Sequence, residues 1–268
     1  MPKFERPEIS INYEVSGDGP RVLFFNGSGA TLKSSAHLIG ALAKTCTVLA
    51  HDQRGLGETS VPEGPYMMAQ FAGDGAALLD HVGWDTCAVV GISFGGMVAQ
   101  EFAVSYPQRV EKLVLLCTSA GGDAGSSYPL HELGSLTPED RANKITTLTD
   151  SRWTPEWLAS HPEDAAIVNL RNEQAGVPKS KETIKGEILQ LGARIGHDVS
   201  GRLQHVTAPT LVTAGRYDGI APLSNSEEIV KRLPDATLSV YEGGHIFTAQ
   251  DRRAIEDIRT FLTTGQRP

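Results

Sequence analysis

The chain has 268 residues, with 24 Lys and Arg against 32 Asp and Glu, a formal charge of −8 and a pI near 5.5. Proteins that hold nucleic acid normally carry a basic surplus to neutralise phosphates, so nucleic acid is not an expected partner. Hydrophobic residues make up 40% and charged residues 21%, at a mean hydropathy of −0.19, which excludes a disordered chain and supplies a full-sized core.

Short apolar runs rich in β-branched residues alternate with helical patterns along the chain. That alternation predicts a mainly parallel sheet with helices on both faces. Strands are expected over residues 9–15, 22–26, 45–50, 86–91, 112–117, 210–214 and 237–241. Helices are expected near 33–44, 67–83, 94–106, 223–232 and 249–263. The rhythm breaks between residues 121 and 207, where the sequence turns polar and supplies no convincing strand. Residues 1–120 and 208–268 therefore read as one α/β core, and 121–207 as a helical cap inserted over the crevice at the strand ends. The first ten residues lack the apolar centre of a signal peptide, and no run approaches the roughly 18 apolar residues of a membrane span. The expectation is a soluble, cytoplasmic protein with no membrane partner. Cys46, Cys87 and Cys117 lie in or beside apolar runs and read as buried free thiols. The eight histidines show no paired ligand spacing, so no metal is expected.

The sharpest motif is Gly91-Ile92-Ser93-Phe94-Gly95, a G-x-S-x-G placed directly after a predicted strand and directly before a predicted helix. A serine at such a tight turn is lifted above the sheet edge, and glycines two residues to either side remove Cβ atoms that would clash there. A serine hydroxyl is a weak nucleophile at neutral pH and needs a base, which in turn needs an orienting acid. Asp218 follows the strand TLVTA, and His245 follows the strand TLSVY. Three strand ends thus bring Ser93, Asp218 and His245 to one edge of the sheet.

With the order Ser, Asp, His along nearly the whole chain, the sequence resembles the α/β-hydrolase fold family. The resemblance implies a mostly parallel sheet of about eight strands, flanked by helices. Residues 51–60, HDQRGLGETS, resemble the family's D-x-R-G-x-G-x-S loop, in which Asp52 and Arg54 have a structural role. By resemblance, the backbone N–H groups of Ser28 and Phe94 form the oxyanion hole. Asn26-Gly27 stands where many relatives have His-Gly, and this start is similar to that of the enol-lactonase branch. Some family members place the acid one strand earlier, which here is Asp123, but the Gly-x-x-Asp setting and trailing proline favour Asp218.

The implied activity is hydrolysis of a small-molecule ester or lactone through a Ser-His-Asp triad and an acyl-enzyme, with no cofactor. Two alternatives stay open. Relatives with the same triad hydrolyse C–C bonds or act as perhydrolases of the cofactor-free haloperoxidase type, and others keep the fold as ligand receptors in signalling. Trp153, Trp157, Tyr128, Leu130 and Phe247, with Phe94, are candidates to line the pocket. Arg152, Arg171 and Arg194 in the insertion are expected to be solvated.

Overall fold

A computed structural model of the protein describes residues 2–268. Its strands are β1 (Lys3–Glu5), β2 (Ser10–Ser16), β3 (Arg21–Phe25), β4 (Thr47–His51), β5 (Cys87–Ile92), β6 (Val110–Leu116), β7 (Thr210–Gly215) and β8 (Ala236–Tyr241). They form one sheet in the order β1-β2-β4-β3-β5-β6-β7-β8. The first two strands pair antiparallel, β2 pairs antiparallel with β4, and every later pairing is parallel. The helices are α1 (Ala36–Ala43), α2 (Met68–His81), α3 (Phe94–Ser105), α4 (Pro138–Thr149), α5 (Pro155–Ser160), α6 (Pro162–Ala175), α7 (Lys181–Ala193), α8 (Leu223–Arg232), α9 (Phe247–Gln250) and α10 (Arg252–Thr264).

The central strands are covered on both faces, which is why RVLFF and CAVVGI read as unbroken apolar runs. Successive residues of β3 divide between two cores. Leu23 and Phe25 join Phe71, Leu78 and Phe102 of α2 and α3 on one face. Val22 and Phe24 join Ile39, Leu42, Ile258 and Phe261 of α1 and α10 on the other. Each such side chain, fully buried, contributes about 1.5–3 kcal/mol of transfer free energy.

Two features depart from the expected elements. The short edge strand β1 was not anticipated, because three residues with the pattern K-F-E carry almost no periodicity. The helix expected over 249–263 is divided at Asp251, whose carboxylate accepts N–H bonds from Arg253 and Glu242 at 3.1 and 3.1 Å and starts α10 afresh.

Between β6 and β7, among the described residues, the chain forms helices and only one isolated bridge, Gly121 to Asp198. Helices α4, α5 and α6 each start with a proline at the first position, and Thr137 and Thr154 cap α4 and α5. The loop after β4 is braced from inside. Asp52 accepts from the Leu32 N–H at 2.7 Å and from Asn12 Nδ2 at 2.7 Å, and Arg54 makes a two-pronged pair with buried Asp74 at 2.9 and 2.9 Å. No helix is long and apolar enough to cross a membrane among the described residues.

Candidate active site

Ser93 sits between β5 and α3 at φ 55°, ψ −117°, a positive φ that side-chain-bearing residues rarely adopt. The surroundings hold it there. Its N–H donates to Leu116 O at 2.8 Å, and its carbonyl accepts the Thr118 hydroxyl at 2.8 Å. The flanking glycines are required by close backbone approach. A Cβ on Gly91 would lie 2.2 Å from Gly95 O, and one on Gly95 would lie 2.1 Å from Phe25 O. The same contact presses the loop after β3 against the turn, where the Cβ position of Gly27 is 3.7 Å from Ser93 Cβ.

Asp218 lies in the loop between β7 and α8 with its side chain fully buried. Its Oδ1 accepts the N–H groups of Ile220 and Ala221, both at 2.8 Å, which leaves Oδ2 aimed at His245. Asp218 Oδ2 and His245 Nδ1 are 2.7 Å apart, and His245 Nε2 is 2.9 Å from Ser93 Oγ. The structure therefore joins all three residues in one line of hydrogen bonds. Asp123, the alternative acid, is exposed and has no bond to His245.

Burial works to lower the His245 pKa, whereas Cys117 and Asp218 raise it, and the net shift is upward from 6.5. Cys117 is itself buried and its thiol pKa is raised by that burial, so it is uncharged near neutrality. The Asp218 carboxylate is thus the effective cause of the upward shift. Among the described residues, only Cys117, Asp218 and His245 form a group with spacing suited to a metal ion, their ligand atoms lying within 4.8 Å of one another. The Asp218 and His245 atoms are already engaged with each other, and a thiol kept protonated by burial is a poor ligand.

Ser28 follows Gly27 in the loop that meets the turn, and Phe94 directly follows Ser93. Among the described residues no hydrogen bond uses either N–H, and Phe94 is the first residue of α3, where helix donors are unpaired. The Phe94 ring points away into the core, edge-on to Phe71 at 5.1 Å.

The aromatic candidates divide. Trp153 and Phe247, at 1% and 0% exposure, have no surface left for a ligand in this conformation, and Phe247 is stacked on Tyr241 at 5.4 Å within the core. Trp157 stacks on His161 at 3.7 Å and donates Nε1–H to Asp164 at 2.7 Å, so it fastens α5 to α6. Tyr128 and Leu130 are half-buried beside the Asp218 loop, against Leu133, Leu148 and Ile220. The three insertion arginines are not simply solvated. Arg152 pairs with Asp150 at 2.6 Å and lies 4.0 Å over the Tyr217 ring, while burial lowers the pKa of Arg171 and Arg194.

Residues that no motif marked also shape the site. Thr149 O accepts the His245 N–H at 2.6 Å, and Cys117, at φ 41°, donates its thiol to His245 O at 3.4 Å. Gln190 of α7, wholly buried, accepts the Gly29 N–H at 2.7 Å and so ties that helix to the loop carrying Ser28. Each acts across 96 or more positions of sequence, a separation that local patterns do not register.

A family model described as "alpha/beta hydrolase fold" matches residues 20–250. The chain is 28% identical over 250 residues to 3-oxoadipate enol-lactonase 2 of Acinetobacter baylyi, covering 92% of this chain and 90% of that one. It is 31% identical over 245 residues to a poly(3-hydroxyalkanoate) depolymerase of Ectopseudomonas oleovorans, covering 88% and 82%. Among solved structures, the enol-lactonase from Burkholderia xenovorans LB400 superposes with a TM-score of 0.80 at 22% identity over 98% of this chain and 100% of that one, a likeness of fold. With a sheet order, a strand-turn-helix serine and a family match that all extend over the body of the chain, this protein belongs to the α/β-hydrolase fold family and is a hydrolase.

Proposed function

We propose that the protein is a serine hydrolase of carboxylic esters or lactones. The observation that carries this reading is the continuous bond line from Asp218 through His245 to Ser93, at 2.7 and 2.9 Å. Asp218 holds the imidazole with its proton on Nδ1, leaving Nε2 to take the Ser93 proton as Oγ attacks the carbonyl carbon. The unspent N–H groups of Ser28 and Phe94 then stabilise the oxyanion, each worth roughly 100- to 1,000-fold in rate in such sites. His245 returns the proton to the leaving oxygen, and water activated by the same Nε2 releases the acyl group. Each step uses only these groups and water. Residues 121–207 act as the cap, anchored by Thr149 on the His245 loop and by Gln190 on the Ser28 loop.

The test is hydrolysis of p-nitrophenyl esters from acetate to octanoate by the wild type and Ser93→Ala. The expected result is multiple turnover by the wild type and a loss of about 10⁴-fold or more in the variant, with an unchanged fold by circular dichroism. Equal rates in both proteins would overturn the assignment of Ser93. Turnover of a C–C diketone substrate but of no ester would move the reading to the C–C hydrolase alternative.

A further inference from the structure

We propose that Asp150 is a positioning residue for the reaction, and that the end of α4 with the turn after it, residues 148–152, is a clasp that sets His245 against Asp218. The role rests on the reading of Ser93 as nucleophile and His245 as base.

The segment threads between the loop that carries the acid and the loop that carries the base, and it bonds to them alternately. Leu148 O accepts the Gly219 N–H at 2.9 Å, Thr149 O accepts the His245 N–H at 2.6 Å, and the Ser151 N–H donates to Tyr217 O at 2.9 Å. The packing leaves no slack. A Cβ on Gly244 would lie 1.9 Å from Thr149 O and 2.7 Å from Asp150 Cα, and one on Gly219 would lie 3.0 Å from Leu148 O. Backbone therefore meets backbone directly on both sides.

Asp150 fixes this segment from within. Its side chain is fully buried, where a carboxylate without partners is strongly disfavoured. Four donors meet it. The Arg152 N–H and Nε bond to Oδ1 at 3.0 and 2.9 Å, and Arg152 Nη2 and Gln250 Nε2 bond to Oδ2 at 2.6 and 2.9 Å. Each arm leads on to one loop. Gln250 Oε1 accepts the N–H of Gly244, the residue before His245, at 2.9 Å. Arg152 lies between two rings, 4.0 Å over that of Tyr217, the residue before Asp218, and 5.1 Å over that of Trp157 in α5. A buried polar network with its partners in place specifies one arrangement. Asp150 touches no reacting atom, but a placement error of about 1 Å at a reacting group costs about 100-fold in rate.

An amide at position 150 breaks this arrangement at a defined point. Its NH₂ group must face either the Arg152 fork or Gln250 Nε2, donor against donor. If Gln250 turns its own amide over to accept, Nε2 then opposes the Gly244 N–H. Either way one arm of the clasp is released.

The experiment compares the wild type, Asp150→Asn, Gln250→Ala and the double variant in hydrolysis of p-nitrophenyl acetate, and records the low-field proton resonance of the His245 Nδ1–H without substrate. Asp150→Asn is expected to lose about 100-fold in kcat and Gln250→Ala about 10-fold. KM should stay within about 2-fold, because His245 serves both formation and hydrolysis of the acyl-enzyme. The double variant should match Asp150→Asn, since Gln250 acts along the same line of bonds. The resonance should move or broaden in each variant, which a loss of folded protein alone does not produce. Gln250 is half-buried, so Gln250→Ala decides the matter if Asp150→Asn does not fold. A wild-type kcat with an unmoved resonance in Gln250→Ala, a change confined to KM, or losses that multiply in the double variant would overturn the clasp. Absence of turnover by the wild type would count against the hydrolase reading alone, and the resonance would then decide the positioning role.

Discussion

Replacing Asp218 by Asn tests the bond line at its least exposed point. The two N–H groups of Ile220 and Ala221, each 2.8 Å from Oδ1, decide how the amide settles. With oxygen toward them, both bonds are kept and the NH₂ group faces His245 Nδ1. With the amide flipped, two buried donors face a third, at about 1–3 kcal/mol for each group left unsatisfied. The first orientation wins, so Nδ1 must accept and the ring proton moves to Nε2, against Ser93 Oγ. The imidazole can then no longer take the serine proton. The expected loss is about 10⁴-fold in kcat, equivalent to about 5.4 kcal/mol of transition-state stabilisation. Steady-state hydrolysis of a p-nitrophenyl ester measures the loss, and ¹⁵N shifts of the His245 ring report which nitrogen carries the proton. Asp123→Asn is the control, expected to leave the rate unchanged because that side chain is exposed and takes no part in the bond line. Activity lost in Asp123→Asn and kept in Asp218→Asn would refute the reasoning.

Two further outcomes follow from the same geometry. His245 must be neutral to act as base, and the Asp218 carboxylate raises its pKa above 6.5, so kcat/KM should climb with pH through a midpoint above that value. The midpoint should fall in Asp218→Asn, and a pH–rate profile with the same midpoint in both proteins would contradict the assigned cause. Gly95→Ala puts a Cβ 2.1 Å from Phe25 O and 2.4 Å from Asn26 O, both backbone atoms that cannot swing aside. Urea unfolding should show a loss of about 3 kcal/mol or more, and a midpoint equal to that of the wild type would show that the turn tolerates the shift.

Much of the core was readable because its causes are local. Strands buried on both faces must be apolar at every position, so RVLFF and CAVVGI announce themselves, and a serine between glycines at a strand-to-helix junction announces a strained turn. Asp218 and His245 were legible through their places after strand ends, since a parallel sheet delivers all such ends to one edge. The helical segment between β6 and β7 was legible only as a break in that pattern. Its aromatic residues looked alike in sequence, yet Trp153 is sealed inside, Trp157 is spent on His161 and Asp164, and Tyr128 and Leu130 stay half-buried. Burial depends on which helix lies across each residue, and short polar helices carry little record of that.

The chain by itself therefore determined the sheet, the turn and the order of Ser93, Asp218 and His245 along the strand ends, because strand patterning and backbone strain are written in neighbouring residues. The tertiary structure alone decided the distances that join them and the anchoring of His245 by Thr149. The reason is physical. Whether a charge is solvated or paired depends on groups many positions away in the chain, and only folding brings those groups within reach.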